Sequence, residues 1–215
     1  MQSEGRQRLG PESWLLPRFA LPAVPRLLNE LASITVQADF RHMVTPGGAS
    51  MSVALTNCGR LGWTSDRSGY RYRPDDPASG LPWPEMPTAF LKLARSAATE
   101  AGFGAFLPDA CLINRYLPGA RLSLHQDRDE RDFTAPIVSV SLGLPAVFLF
   151  GGRSRSDPSV RVLLEHGDVV VWGGVDRLAY HGMMPLKVTP NGLFATAQHP
   201  LLERKRINLT FRKAR

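Results

Sequence analysis

From residue 111 to residue 212 the chain is a succession of short apolar runs cut by glycine and proline, and this pattern leaves few folds open. The runs, rich in Val, Ile, Leu and Phe, cover 111 to 117, 136 to 142, 146 to 150, 160 to 165, 168 to 173 and 206 to 212. Each has the length of a strand, and turn residues separate them, so they predict two packed antiparallel sheets. The last run is the clearest. In Arg206-Ile207-Asn208-Leu209-Thr210-Phe211-Arg212 polar and apolar residues alternate strictly. That period of two puts Ile207, Leu209 and Phe211 on one face and Arg206, Asn208, Thr210 and Arg212 on the other. Earlier in the chain the period changes. Leu27, Leu28, Leu31 and Ile34 between Pro25 and Val36, and Phe90, Leu93, Ala94, Ala97 and Ala101 between Pro87 and Ala101, recur at helical spacing. The expected fold is α+β and mainly β, a double-stranded β-helix or jelly roll with helices bracing one sheet.

A length of 215 residues suits one domain with a full core. The longest apolar stretch, Ile137 to Phe150, holds Ser139, Ser141, Gly143 and Pro145 and is too short to cross a bilayer as a helix. Near the beginning, Pro17, Arg18 and Pro22 break any signal-peptide core. Cys58 and Cys111 stand far apart with no CxxC pattern, which reads as reduced thiols. These features predict a cytoplasmic protein, away from the membrane and by default monomeric. Lys plus Arg number 26 against 19 Asp plus Glu, a formal charge of +7. That excess favours a polyanionic partner, because cations that neutralise phosphates release condensed counterions.

Three residue groups carry candidate chemistry. His125 and Asp127 in LSLHQDRDE, with His181 in LAYHGMMP, are the two imidazoles and one carboxylate that hold ferrous iron on one face and leave the opposite positions open. In an extended strand, residues 125 and 127 point to the same side and could reach one ion. His166 and His199 are alternative third ligands. The second group is the polar face of the 206 to 212 strand. Two guanidiniums and an amide suit a small dicarboxylic acid, although a solvated strand face has the same composition. Asn114 and Tyr116, in phase on Cys111 to Tyr116, would add donors.

The third group lies between Thr45 and Trp83, a stretch rich in Gly, Pro and aromatics that we expect to cover the site. Trp63, Tyr70, Tyr72 and Trp83 stand there among Arg60, Arg67, Arg71 and Arg73. Aromatic rings among cations can stack an unpaired base while holding its phosphates. Trp63 and Tyr70 are the expected base contacts, and Trp83 a clamp on the loop's own packing. Trp172 reads as strand core or pocket wall. Asp129 and Glu130 read either as acidic groups near the metal or as a solvated turn.

The motifs MVTPGG, MSVALTNCGRLGW, PDACLINRYLPGARLSLHQDRDE, PIVSVSLGLPAVFLFGG, LLEHGDVVVWGG and NLTFR follow one another from about Phe40 to Arg212. In this set and order the chain resembles the AlkB family of iron(II) and 2-oxoglutarate-dependent dioxygenases, which repair alkylated bases. The resemblance implies a jelly-roll fold with His125, Asp127 and His181 as iron ligands. It implies Asn114, Tyr116, Arg206, Asn208 and Arg212 as the 2-oxoglutarate site, with Arg206 at the distal carboxylate and Asn114 and Arg212 nearer the keto-acid end. For the damaged base it implies Trp63, Tyr70, Tyr72, Asp129 and Arg155, with Asp129 favouring a cationic base.

The implied organisation is one dioxygenase domain over 1 to 215. Residues 1 to about 40 would be a divergent N-terminal extension and helix, 41 to 85 a nucleotide-recognition lid, and 109 to 215 the catalytic core. The stretch from Val188 to Lys205 is longer than the family pattern. The implied activity is oxidative demethylation of 1-methyladenine and 3-methylcytosine in single- or double-stranded DNA, with RNA as a further substrate. O2 is consumed, 2-oxoglutarate becomes succinate and CO2, and formaldehyde is released. The same chemistry on RNA or protein methyl groups is one alternative, and a jelly-roll binding module without catalysis is another.

Overall fold

The 206 to 212 strand lies inside the molecule, and all seven of its residues are buried. The structure, a computed structural model, describes residues 5–188 and 199–215. In chain order the first elements are β1 (Gln7–Gly10), β2 (Ser13–Leu16), α1 (Val24–Gln37), β3 (Arg41–Val44) and β4 (Ser50–Gly59). Next come β5 (Gly62–Asp66), β6 (Gly69–Arg73), α2 (Thr88–Glu100), β7 (Ala110–Tyr116) and β8 (Leu122–His125). The last are β9 (Ile137–Gly143), β10 (Ala146–Phe150), β11 (Val160–Leu164), β12 (Val169–Trp172), β13 (His181–Met183) and β14 (Arg206–Arg212). Eight of these strands form one sheet in the order β1-β2-β12-β9-β14-β7-β4-β3. Four form a smaller sheet, β11-β10-β13-β8, and β5-β6 is a separate hairpin.

The alternation along β14 assigns its two faces. Ile207, Leu209 and Phe211 join Leu27 and Leu31 of α1 and Phe90 and Ala94 of α2 in the main apolar core, with Phe90 edge-on to Phe211 at 5.8 Å. The helices thus cover one face of the large sheet, as the sequence predicts. Arg206, Asn208, Thr210 and Arg212 occupy the other face and pair across β7 and β9. Arg206 lies opposite Tyr116 and Gly143, and Asn208 opposite Asn114 and Ser141. Gly143 closes β9 with φ +89, and a Cβ there would stand 2.3 Å from the Lys205 carbonyl oxygen. A side chain at this corner would push β9 away from the entry to β14.

The six predicted strands and both helices form, with boundaries within about one residue. Within the segment expected as an N-terminal extension, β2 pairs with β12 from Leu16↔Val169 to Ser13↔Trp172 and so joins the large sheet. The 41 to 85 segment also contributes to the scaffold: β4 pairs with β7 from Ala54↔Arg115 to Gly59↔Ala110, which leaves the hairpin β5-β6 as its separate part. Of the Val188 to Lys205 stretch, residues 189–198 lie outside the described residues, and Leu202 packs into the main core. No described helix is long and apolar enough to cross a membrane.

Candidate active site

The two sheets enclose a cavity of about 770 Å³, whose walls include His125, Asp127, His181, Asn114, Tyr116 and Asn208. His125 ends β8 and His181 begins β13, and they are direct partners in the small sheet. Asp127 lies two residues past the end of β8, so the loop, and not the strand period assumed from the sequence, turns it inward. The Nε2 atoms of His125 and His181 are each 3.7 Å from a carboxylate oxygen of Asp127. That gap is too long for a hydrogen bond. Candidate ligand atoms of the three residues lie within 4.8 Å of one another.

Local hydrogen bonds fix the donor set. His125 Nδ1 donates to the Ser123 carbonyl at 2.8 Å and His181 Nδ1 to the Ala179 carbonyl at 3.0 Å. Each Nε2 lone pair is therefore free for a metal, as in sites where the second ring nitrogen orients the ligand. Burial, and then the neighbouring His125, push His181 down to about 4, so the imidazole is neutral and ligand-competent at pH 7. Burial opposes the charge on Asp127, but Arg212 and the two imidazoles outweigh it and hold the carboxyl well below its usual range. Two imidazoles with their Nε2 atoms turned to an ionised carboxylate fit a divalent ion. His166 instead accepts the Gly143 N–H through Nδ1, and His199 accepts the Leu201 N–H. Neither belongs to the described cluster.

Arg206 is completely buried, with no carboxylate within ion-pair distance among the described residues. Its Nη1 donates to the Leu144 carbonyl at 3.2 Å and its Nη2 to Ser141 Oγ at 2.7 Å, while Nε has no partner. Burial lowers its pKa to about 10. A buried guanidinium without a counter-charge is costly and suits an anionic ligand group; Arg206 is not itself among the residues that line the cavity, whereas its neighbours Tyr116 and Asn208 are. Beside it Asn114 Nδ2 donates to Asn208 Oδ1, and Asn208 Nδ2 donates to Ser139 Oγ at 2.8 Å. Burial raises the Tyr116 phenol to about 12, which keeps it a neutral donor.

Arg212 lines the same cavity and turns to Asp127. Its Nε and Nη2 both donate to Asp127 Oδ2, at 2.9 and 2.7 Å, and Nε also stands 3.4 Å from Glu130. In this structure it orients an iron-ligand candidate. Glu130 is not a solvated turn residue: it is buried, accepts from the Tyr72 hydroxyl at 2.6 Å and lies 3.2 Å from Arg177 Nη2. Arg177 Nη1 in turn donates to the Asp127 carbonyl at 2.8 Å. Sequence reasoning missed Arg177, because nothing in RLAYHG marks its guanidinium as internal. Glu130 carried only its proximity to Asp127 as a signal.

At the cavity mouth Trp63 Nε1 donates to Asp129 Oδ2 at 2.7 Å. Tyr70 stacks on Trp63 with ring centroids 5.4 Å apart. Trp63, Tyr70, Asp129 and Arg155 all line the main cavity, but Tyr72 does not. It shares the hairpin face with Trp63, yet its ring is buried and its hydroxyl committed to Glu130. Trp83 is a clamp as expected, donating to the Arg73 carbonyl beneath Arg41. Trp172 walls the cavity, its ring 5.0 Å from His181.

The sequence profile of the 2OG-Fe(II) oxygenase superfamily matches residues 15–212. An alpha-ketoglutarate-dependent dioxygenase AlkB of Salmonella typhimurium is 56% identical over 97% of this chain and 93% of its own length. Its counterpart from Escherichia coli is 59% identical over 93% and 89%. The former alignment leaves only about six residues unmatched, so most of the first 40 residues fall within it. A solved structure titled "The structure of OsALKBH1" superposes with a TM-score of 0.82 at 28% identity, covering 97% of this chain and 99% of that one. With the His-Asp-His cluster, the buried arginine and these matches, the chain belongs to the 2OG-Fe(II) oxygenase superfamily, alongside the AlkB alpha-ketoglutarate-dependent dioxygenases.

Proposed function

We propose that this dioxygenase removes N-linked methyl groups from cationic nucleobases, 1-methyladenine and 3-methylcytosine, in DNA and secondarily in RNA. The observation that carries the reading is that one cavity joins the triad to a mouth lined by Trp63, Tyr70 and Asp129. His125, Asp127 and His181 would hold Fe(II), which supplies O2 activation coupled to 2-oxoglutarate decarboxylation. Arg206 takes the distal carboxylate of the cosubstrate. Asn114, Tyr116 and Asn208 orient its body by hydrogen bonds, and Arg212 holds Asp127 in place beside the keto-acid end.

Trp63 and Tyr70 offer flat faces to an unpaired ring. Asp129, fixed by the Trp63 indole, brings negative charge to a base that the methyl group has made cationic, and Arg155 meets the strand at the rim. Tyr72 acts through Glu130 and not on the base. A methylated base that cannot pair costs less to extrude, which adds selectivity. Once the methyl carbon is hydroxylated, the hemiaminal collapses, the C–N bond breaks and formaldehyde leaves with the base restored. The scaffold under this chemistry is 109 to 215, and the lid is the β5-β6 hairpin with its flanks. A monomer acting in the cytoplasm belongs to the same proposal, and elution near 23.7 kDa tests the first part.

The deciding experiment is mass spectrometry of a single-stranded oligonucleotide carrying one 1-methyladenine, incubated with protein, Fe(II), ascorbate and 2-oxoglutarate. Loss of the methyl group with equimolar succinate is expected. Succinate without demethylation would redirect the chemistry to another methyl-bearing substrate.

A further inference from the structure

We propose that a second, cationic recess on the far side of Tyr70 binds one backbone phosphate of the strand whose base enters the main cavity. This rests on the nucleic-acid reading above. The recess measures about 210 Å³ and is lined by Tyr70, Arg71, Asp129, Arg131, Ala214 and Arg215, with Tyr72 beside them. Tyr70 and Asp129 also line the main cavity, so the two spaces share a wall. Tyr70 is 48% exposed and forms a ridge between them.

The charges of the recess are unevenly committed. Arg71 is paired with Asp66, and Asp129 is held by the Trp63 indole at 2.7 Å. Arg131 and Arg215 have no carboxylate partner within 4.0 Å among the described residues. The neutral indole leaves the charge of Asp129 in place, so the recess holds two guanidiniums outside any ion pair against one carboxylate; the excess is positive, and guanidinium forks match phosphate oxygens.

These two arginines stand on a fixed floor. The Arg131 N–H donates to the Ala214 carbonyl at 3.0 Å. The carboxylate of Asp109 accepts the Ala214 N–H at 2.6 Å and the Arg215 N–H at 3.2 Å. Asp109 and Ala214 are both buried. The segment after β14 is thus tied to the start of β7, and the Arg215 side chain is presented beside Arg131. Arg121, Arg128 and Arg155 line the main cavity itself, so a phosphate in the recess is a contact separate from theirs. A strand bent over the Tyr70 ridge would place its base in one space and a flanking phosphate in the other.

The test is the salt dependence of binding. The protein is loaded with Fe(II) and 2-oxoglutarate without oxygen, and fluorescence anisotropy follows a single-stranded oligonucleotide bearing one 1-methyladenine. One phosphate contact on a single strand contributes about 0.7 to the slope of log K against log salt. Between 50 and 200 mM salt the Arg131→Gln/Arg215→Gln double variant should therefore lose about 2.6-fold less affinity than wild type. Arg95→Gln, on the exposed face of α2, should keep the wild-type slope. A double variant with the wild-type slope, or an equal change in Arg95→Gln, overturns the recess while leaving the demethylation reading intact. A wild-type protein that neither binds nor demethylates the oligonucleotide overturns both.

Discussion

Replacing Glu130 by alanine removes the one carboxylate that lies between two buried guanidiniums and a buried phenol. In the structure Glu130 is 3.2 Å from Arg177, 3.4 Å from Arg212 and 2.6 Å from the Tyr72 hydroxyl. Arg212 would keep Asp127, and Arg177 would keep the Asp127 and Ala135 carbonyls. What is lost is the counter-charge of Arg177, and breaking a buried pair by removing one partner costs about 3–5 kcal/mol. For a domain of this size, each kcal/mol lowers Tm by about 2–4 °C, so the metal-free protein should melt roughly 6–20 °C lower. Glu130→Gln keeps an acceptor for Tyr72 and should fall less.

Because Arg177 and Arg212 also hold Asp127, the alanine variant should bind Fe(II) about 10- to 100-fold more weakly, the usual range for loss of an outer partner. Calorimetric melting, with and without metal, measures both effects. A Tm within 2 °C of wild type would refute the reasoning, since it would mean that the carboxylate offsets no buried charge. A double cycle with Tyr72→Phe adds a separate check: partners in hydrogen-bond contact couple by about 0.5–3 kcal/mol.

Other outcomes follow from the same geometry. 2-Oxoglutarate at 100 times its Kd should stabilise the wild-type protein by about 2.7 kcal/mol and should leave the melting of Arg206→Met unmoved; a persisting shift would take Arg206 out of the cosubstrate site. His125→Ala, Asp127→Ala and His181→Ala should each abolish succinate formation in a folded protein, and retained turnover in any one removes that residue from the triad. In the metal-free protein His181 titrates near 4, against 6.5 for an unperturbed imidazole. The unfolded chain then takes up the proton first, so stability is full above 6.5 and is lost as pH falls towards 4, by about 3 kcal/mol. Burial lowers His166 as well, with the same sign. Urea titrations at pH 7.5 and 4.5 measure the loss, and an undiminished loss in His181→Gln would refute the assignment. Trp63→Ala should raise the KM for the methylated strand and leave that for 2-oxoglutarate in place, and equal effects on both would return Trp63 to a packing role.

Local periodicity explains which parts of this fold were legible. β14 declared itself because strict alternation over seven residues has one strand solution, and the same pattern assigned Arg206, Asn208 and Arg212 to a common face. α1 and α2 declared themselves through apolar residues three and four apart. β4 did not, because in MSVALTNCG the run from Val53 to Cys58 is buried on both sides and shows no alternation. β8 and β13, of four and three residues, are too short to carry a period, although they hold two of the three candidate ligands.

The sequence by itself determined the donor types, the family resemblance and the strand that carries the arginines. Tertiary structure decided their relations. Pairing of β8 with β13 set the imidazoles side by side across 56 residues of chain, and the loop after His125 swung Asp127 between them. It also directed Arg212 to Asp127, drew Glu130 inside between Arg177 and Arg212, and turned Tyr72 away from the cavity. These placements depend on which charges share a buried space, and burial is a property of the packed sheets that no local stretch of sequence encodes.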